Sequence, residues 1–241
     1  ATNAAIYGEL GRYPLYINII KQTCKFLNHI QDASDDSLLT KAYEETKNLI
    51  NTKDTWIDNF CSTLKNMSIS YDGQSPIDWR TTISNLKTQY DTVWKEKLLK
   101  NSDNNFAGNK LRFYNIFKEN IQFESYLSYI SNKDHRKALT KIRISSHELA
   151  VERMRYQNIP LMNRICQHCK NNAVEDEYHF LFYCPIYTEE RKKLYEACEK
   201  QTKHFQNMND RQKVMFIMTS DISILKAVAE FCNKSFEIRN N

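Results

Sequence analysis

Four residues with metal-ligating side chains stand within a stretch of 19 residues. Cys166 and Cys169 are separated by two residues, His179 follows after nine more, and Cys184 completes the pattern C-x2-C-x9-H-x4-C. Three thiolates and one imidazole are the soft and borderline ligands that a tetrahedral structural zinc requires. Because a closed Cys3His set leaves no coordination position for water, we predict one structural Zn²⁺ per chain. The ion would order a segment that has little core of its own.

Two alternatives to this interpretation remain open from the sequence. His168 could replace His179 as a ligand, although its place between the two cysteines makes that sterically awkward. The four residues could also be ordinary buried thiols beside a core histidine. The wide scatter of the other cysteines favours the metal site. Those cysteines are Cys24, Cys61, Cys198 and Cys232.

The stretch 133–164, which leads into the cysteine cluster, is strongly basic. It has eight basic and three acidic residues, so its net charge of +5 equals that of the whole chain. Arginine suits bidentate contact with phosphate, and a tyrosine can stack on an unpaired base. We therefore predict that RNA or DNA binds to seven side chains of this segment. They are Arg136, Lys137, Lys141, Arg143, Arg153, Arg155 and Tyr156.

The composition predicts a mainly α-helical protein. Only four glycines and four prolines occur in 241 residues, so the frequent turn residues of a β-sandwich or β-barrel are absent. We expect an irregular multi-helix array with a small CCHC zinc knuckle inserted before the C-terminal helices. The regions would be a helical part at 1–132, the basic segment with the knuckle at 133–186, and C-terminal helices at 187–241.

Apolar residues at three- and four-residue steps predict the individual helices. Ser34 or Asp35 is a candidate N-cap of the second helix, Asp54 is a candidate N-cap of the third, and an Asp-Gly turn is expected at 71–76. The expected helical spans are 14–30, 38–50, 56–64, 79–98, 111–121, 189–201 and 210–236.

No catalytic site is predicted, because the catalytic patterns that the sequence approaches fail on spacing. A zinc-protease helix would need a second histidine where Val151 stands, four residues after His147. A zinc deaminase would need His-x-Glu before a Pro-Cys-x-x-Cys motif, and Leu149 and Ile165 occupy the decisive positions. Ser145 is close to His147 in sequence, but nothing positions the two as nucleophile and base. A glycine-rich phosphate-binding loop is also missing from the sequence.

The cellular setting expected from the sequence is intracellular, in the nucleus or the cytoplasm. Seven cysteines, an odd number, do not suggest a disulfide framework, and no apolar signal segment opens the sequence. No run approaches the ~18–20 apolar residues that cross a bilayer, so no membrane partner is expected.

Residues 165–169 and 174–185, which carry the cluster, resemble a known family. Their sequences, ICQHC and VEDEYHFLFYCP, are similar to the zinc-binding region that follows the polymerase domain in non-LTR (LINE-type) retrotransposon reverse transcriptases. Residues 136–147 and 152–160 resemble the stretch that leads into that region, and residues 7–15 resemble the start of the region just beyond the polymerase. The resemblance is specific within 134–186 and looser elsewhere, and Met154 departs from it where a small residue is expected.

This resemblance implies a C-terminal part of an RNA-directed DNA polymerase. The part would be non-catalytic, would contact template RNA or target DNA, and would work beside the remaining domains of the reverse transcriptase. Its ligands would be Cys166, Cys169, His179 and Cys184. The metal-binding aspartate pair of a polymerase is not recognised, since Asp35 and Asp36 precede a helical pattern and are interpreted as first-turn acids. The alternative is a zinc-stabilised helical protein-interaction module, either domesticated or used for packing within the polymerase, that binds no nucleic acid.

Overall fold

The computed structural model describes residues 2–49, 55–69, 71, 75–99 and 109–240, and these residues are mainly helical, as predicted. They contain no β-strand, and one isolated antiparallel bridge joins Ile165 and Val174. None of the helices in the described ranges is long and apolar enough to cross a bilayer. The α-helices are α1 (Asn3–Leu10), α2 (Leu15–Gln31), α3 (Leu38–Asn48), α4 (Trp56–Asn66), α5 (Trp79–Leu99), α6 (Tyr126–Tyr129), α7 (Lys133–Arg143), α8 (Ala150–Arg153), α9 (Thr188–Gln201), α10 (Asp210–Thr219) and α11 (Ile222–Asn240).

Short segments of other helix types join these α-helices. A π-helical turn spans His179–Tyr183. The 3₁₀ turns are Tyr114–Ile116, Met154–Gln157, Leu161–Asn163, Pro185–Tyr187 and Phe205–Asn207.

The chain forms two compact units. One is Tyr13–Val93, and the other combines Ala1–Arg12 with Trp94–Asn241. Helix α5 contributes residues to both units. The region boundaries expected at 132/133 and 186/187 both lie inside the second unit.

The unit Tyr13–Val93 has a core built from one face each of α2, α4 and α5, with Tyr43 of α3. The Asn28 side chain of α2 also fixes the approach to α5, since it accepts a hydrogen bond from the Ile77 amide at 2.8 Å and donates to the Ile77 carbonyl at 2.9 Å. The apolar positions that predicted the helix at 14–30 form the buried face of α2. They are Ile17, Ile20, Cys24, Leu27 and Ile30.

The helix starts in this unit differ from two of the predictions. Ser37 caps α3, because its hydroxyl accepts the Thr40 amide at 3.0 Å, so the prediction of Ser34 or Asp35 is wrong. Thr55 caps α4 in a capping box with Asp58. Asp54 lies outside the described residues, as do residues 72–74 of the turn expected at 71–76.

Two predicted helical spans are also wrong. Residues 111–121 contain only a 3₁₀ turn at Tyr114–Ile116. Four of their apolar side chains, Leu111, Phe113, Tyr114 and Phe117, are nevertheless buried. The span 210–236 is two helices, since the Asp221 carboxylate accepts the Ser223 amide at 2.9 Å and starts α11 after a break at Ser220.

The second unit depends on a buried ion pair that changes the interpretation of Arg143. This guanidinium, 1% exposed, donates to both carboxylate oxygens of Glu9 at 2.9 and 3.0 Å and to the Met218 carbonyl at 2.7 Å. It also pairs with Glu124 at 2.8 Å. The prediction that Arg143 contacts nucleic acid is therefore wrong, because the side chain joins α1, α7 and α10 in the interior.

Replacing Arg143 with methionine tests this role. The substitution leaves the Glu9 carboxylate buried without its cation, so we expect the free energy of unfolding to fall by about 3–5 kcal/mol. Urea denaturation followed by circular dichroism measures the change. The matched control is Lys137→Met on the exposed side of α7, where a change within about 0.5 kcal/mol is expected. A loss in Arg143→Met as small as the control's would contradict the assignment.

Candidate metal centre

The first two cysteines lie in a tight loop closed by the bridge between Ile165 and Val174. The Cys166 amide donates to the Ala173 carbonyl at 2.8 Å, and the Glu175 amide donates to the Arg164 carbonyl at 2.9 Å. The bridge brings the ends of the loop together, so the Cys-x2-Cys pair is presented on a short, closed turn.

The other two ligands lie at the two ends of the π-helical turn. The His179 amide donates to Asp176 Oδ1 at 2.8 Å, which fixes the start of the turn. The Cys184 amide donates to the His179 carbonyl at 2.7 Å, which closes it. The turn is π-helical because this hydrogen bond spans five residues, and the ligand atoms of His179 and Cys184 lie within 4.8 Å of each other.

The four predicted ligands come together. The three sulfur atoms and one imidazole nitrogen lie within 4.8 Å of one another, and Cys169 Sγ is 3.4 Å from His179 Nε2. Cys169 is partly exposed and the other three are buried. Within the described residues, this is the one group of three or more His, Cys, Asp or Glu side chains that could hold a metal ion. His168 is exposed and outside the cluster, so it does not replace His179.

Burial favours the neutral form of three of the four side chains, Cys166, His179 and Cys184. It raises the pKa of Cys184 to about 12, an effect to which the neighbouring thiols Cys166 and Cys169 add. It also raises the pKa of Cys166 and lowers that of His179. Like charges that face one another without a cation repel, and a divalent ion at the centre removes that penalty.

The donor set fits a metal ion such as zinc. Atoms bound to one tetrahedral zinc lie about 3.3–3.8 Å apart, given bonds of ~2.0–2.3 Å, so distances of up to 4.8 Å in the cluster would need to shorten by ~1.5 Å at most. All four ligands come from this chain, and three of them are thiols, which select soft metals over magnesium or calcium.

The Glu175 carboxylate anchors the loop to the rest of the unit. Its two oxygens accept hydrogen bonds from Arg239 of α11, each at 3.0 Å, and one also accepts the Ala150 amide at 2.6 Å. The carboxylate is buried, so the bidentate guanidinium satisfies its charge. The residue that follows the bridge is thereby tied to α8 and α11.

A second buried carboxylate, Glu177, holds the approach to the π-turn. Burial alone would raise its pKa, but the Arg112 guanidinium, 2.8 Å away, and His147 hold it well below its usual range. His147 Nε2 is 3.1 Å from Glu177 Oε1, and the Ser145 hydroxyl donates to the same oxygen at 3.0 Å. Ser145 and His147 therefore meet at a carboxylate, where both stabilise the fold.

The basic segment does not form one continuous cationic surface. Besides Arg143, Arg164 is buried and donates to the Val151 carbonyl at 2.7 Å. Arg155 donates to Glu152 at 2.9 and 3.1 Å, and Arg136 donates to the Ile130 carbonyl at 2.7 Å. The predicted contact residues Lys137, Arg153 and Tyr156 are exposed, and Lys141 is partly exposed.

Sequence reasoning missed the arginines and carboxylates that surround the cluster. Arg191 donates to the Cys184 carbonyl at 2.7 Å. Its burial could have been predicted, because it lies at helical spacing from Leu194 and Cys198 on the buried face of α9. Arg239 and Glu175 are 64 residues apart, and no local pattern predicts that they pair.

Comparisons with protein-family models, with curated proteins and with solved structures give no match for this chain. The family resemblance of residues 134–186 therefore stays a prediction.

Binding of a divalent metal should release protons. Since Cys166 and Cys184 are neutral at pH 7 and must ionise to bind, we expect at least about two protons per ion. The affinity should rise with pH and fall on acidification, because protons compete with the metal for the sulfurs. Titration of the reduced, metal-free protein with Zn²⁺ beside a pH indicator measures this. Cys61→Ser, outside the cluster, should behave like the wild type, and binding without proton release would contradict the thiolate site.

Proposed function

We propose that this chain is the non-catalytic, zinc-bearing C-terminal module of a non-LTR retrotransposon reverse transcriptase, and that it binds RNA or DNA for the polymerase. The observation that carries the proposal is the convergence of Cys166, Cys169, His179 and Cys184 within 4.8 Å, in the segment that resembles that family. The remaining domains of the reverse transcriptase are its expected protein partners. A reducing compartment, the nucleus or the cytoplasm, would keep the thiols available.

Zinc is the proposed ion, and its role is structural. Three thiolates and an imidazole complete a tetrahedral shell, which closes the site to water. Bound zinc would fix the turn at Cys166 and Cys169 against the π-turn at His179–Tyr183. It would thereby set the direction in which the chain enters α9.

The surface around Tyr156 is the part of the basic segment best suited to nucleic acid. The Tyr156 side chain is 77% exposed. Lys110 Nζ lies 5.9 Å from its ring centroid and 3.6 Å from the Glu152 carboxylate, with which it pairs. Arg153, also exposed, stands one turn earlier in the chain. An exposed ring beside cations offers stacking to a base and charge to its phosphates. Because several predicted contacts point inward, we propose that Tyr156, Arg153 and Lys110 are the centre of the interface.

The alternative, a helical protein-interaction module, is favoured by one specific observation. Helix α2 exposes large apolar side chains, among them Leu15 at 69%, Ile19 at 56% and Phe26 at 46%. Such a face suits contact with another protein or another domain better than contact with phosphates. The two functions can be distinguished by whether the whole chain binds nucleic acid.

The double substitution Arg153→Gln/Tyr156→Ala tests the proposed interface. Loss of one stacked base and one phosphate contact should weaken binding of single-stranded RNA by roughly tenfold or more. Filter binding of the full chain over a series of salt concentrations measures affinity, which should fall steeply with salt in the wild type. The RNA series is repeated with single- and double-stranded DNA.

The matched control is Tyr129→Ala/Lys226→Gln, which removes an exposed tyrosine and an exposed cation elsewhere in the same unit. We expect it to change the affinity less than twofold. Equal binding by both double variants would place the interface elsewhere. A wild-type chain that binds neither RNA nor DNA would contradict the proposal and support the protein-interaction module.

A further inference from the structure

Arg191 of α9 reaches back to the turn that carries two of the metal ligands. Its Nε donates to the Leu181 carbonyl at 2.9 Å. Its Nη2 donates to the Cys184 carbonyl at 2.7 Å and lies 3.4 Å from the Phe180 carbonyl. One guanidinium therefore binds three carbonyls between the ligand His179 and the ligand Cys184.

The carbonyls of Phe180 and Leu181 lie in the π-helical turn, whose last acceptors have no partner within the turn. The Cys184 carbonyl follows the turn and also accepts the Tyr187 amide at 3.3 Å. The Arg191 fork satisfies these carbonyls with a planar, fixed geometry that a flexible lysine does not reproduce. It thereby holds the path of the chain from His179 to Cys184, and with it the separation of the two ligand atoms.

The charge of Arg191 differs from that of two other buried arginines, Arg143 and Arg239. The side chain is only 8% exposed, yet no carboxylate of the described residues lies within ion-pair distance of it. By contrast, Arg239 pairs with Glu175, and Arg143 pairs with Glu9. A buried cation without a counter-ion is destabilising, because burial removes its hydration and the carbonyl dipoles that Arg191 contacts replace that hydration without cancelling the charge.

The metal centre supplies the missing charge. Three thiolates, one neutral imidazole and one divalent ion sum to a net charge of −1. That negative charge is carried by the sulfurs, including that of Cys184, whose own carbonyl Arg191 binds.

We propose that Arg191 is the counter-ion and positioning residue of a Cys3His metal centre, its single positive charge matched to a centre that carries one negative charge. The inference rests on the proposed zinc site and adds its charge state and a fifth residue to it. The inference predicts that the contribution of Arg191 to Zn²⁺ affinity depends on the number of thiolates in the centre.

A double-mutant cycle in the full-length chain tests this dependence. Arg191→Gln should weaken Zn²⁺ binding by about 10–100-fold, the usual effect of losing a residue that supports metal ligands. In the Cys169→His background the centre is neutral, so the same substitution should weaken binding by about threefold or less. Cys169 is the least buried ligand, so an imidazole is best accommodated there. Competition with a chromophoric chelator measures each affinity, and circular dichroism confirms that each variant is folded.

The control is Lys192→Gln, which removes a charge from the next residue of α9, where the lysine is exposed and pairs only with Glu189 within the described ranges. It should leave Zn²⁺ affinity within about twofold.

If Cys169→His does not bind Zn²⁺, Arg191→Lys decides the question. If Arg191→Lys binds Zn²⁺ at least about fivefold more tightly than Arg191→Gln, the positive charge contributes and the counter-ion role is supported. If the two variants lose the same Zn²⁺ affinity, the proposal is overturned.

Equal losses for Arg191→Gln in both backgrounds would overturn the proposal, because a purely structural role does not depend on thiolate number. No loss in either background would overturn it as well. A wild-type chain that binds no Zn²⁺ would refute the proposed metal site itself, and the inference with it. A wild type that binds Zn²⁺ while Arg191→Gln binds equally well would refute only the inference.

Discussion

The close approach of three sulfurs and one imidazole is the constraint on which the account of residues 165–184 depends. These atoms lie within 4.8 Å in a mostly buried place, where burial raises the pKa of Cys166 and Cys184 and keeps the thiols neutral. A divalent cation reverses this preference, because it stabilises the thiolates that would otherwise repel one another. The chain from the bridge at Ile165 to the π-turn is short and irregular. These four side chains are therefore the contact that joins the loop after Ile165 to the π-turn.

Arginines connect this small centre to the helices. Arg239 reaches from α11 to Glu175 just after the loop, and Arg191 reaches from α9 to the carbonyls beside Cys184. Arg164 turns inward to the Val151 carbonyl, and Arg112 binds Glu177 at the approach to the π-turn. Buried guanidiniums of this kind can bind several acceptors at once, which suits a region with few regular backbone hydrogen bonds.

The sequence predicted the class of fold and the four side chains that come together, because both rest on local patterns. The spacing of Cys166, Cys169, His179 and Cys184 identified the residues that the structure brings together. The apolar periodicity of α2 predicted its buried face at the correct positions. Local patterns failed where contacts between distant residues determine the local structure or the burial of a side chain. The span 111–121 has helical spacing but contains only a 3₁₀ turn at Tyr114–Ile116, and Asp221 divides a span that the apolar pattern joins. The net charge of 133–164 indicated a cationic surface, yet Arg143 pairs with Glu9, which is 134 residues away.

X-ray absorption at the zinc edge of the purified full-length protein tests the central claim most directly, since it reports which atoms surround the ion. A Cys3His centre predicts about three sulfur neighbours at ~2.3 Å and one nitrogen at ~2.0–2.1 Å, with no water ligand. A shell of oxygen and nitrogen neighbours, or one with a single sulfur, would contradict the assignment of Cys166, Cys169, His179 and Cys184 as a closed metal site.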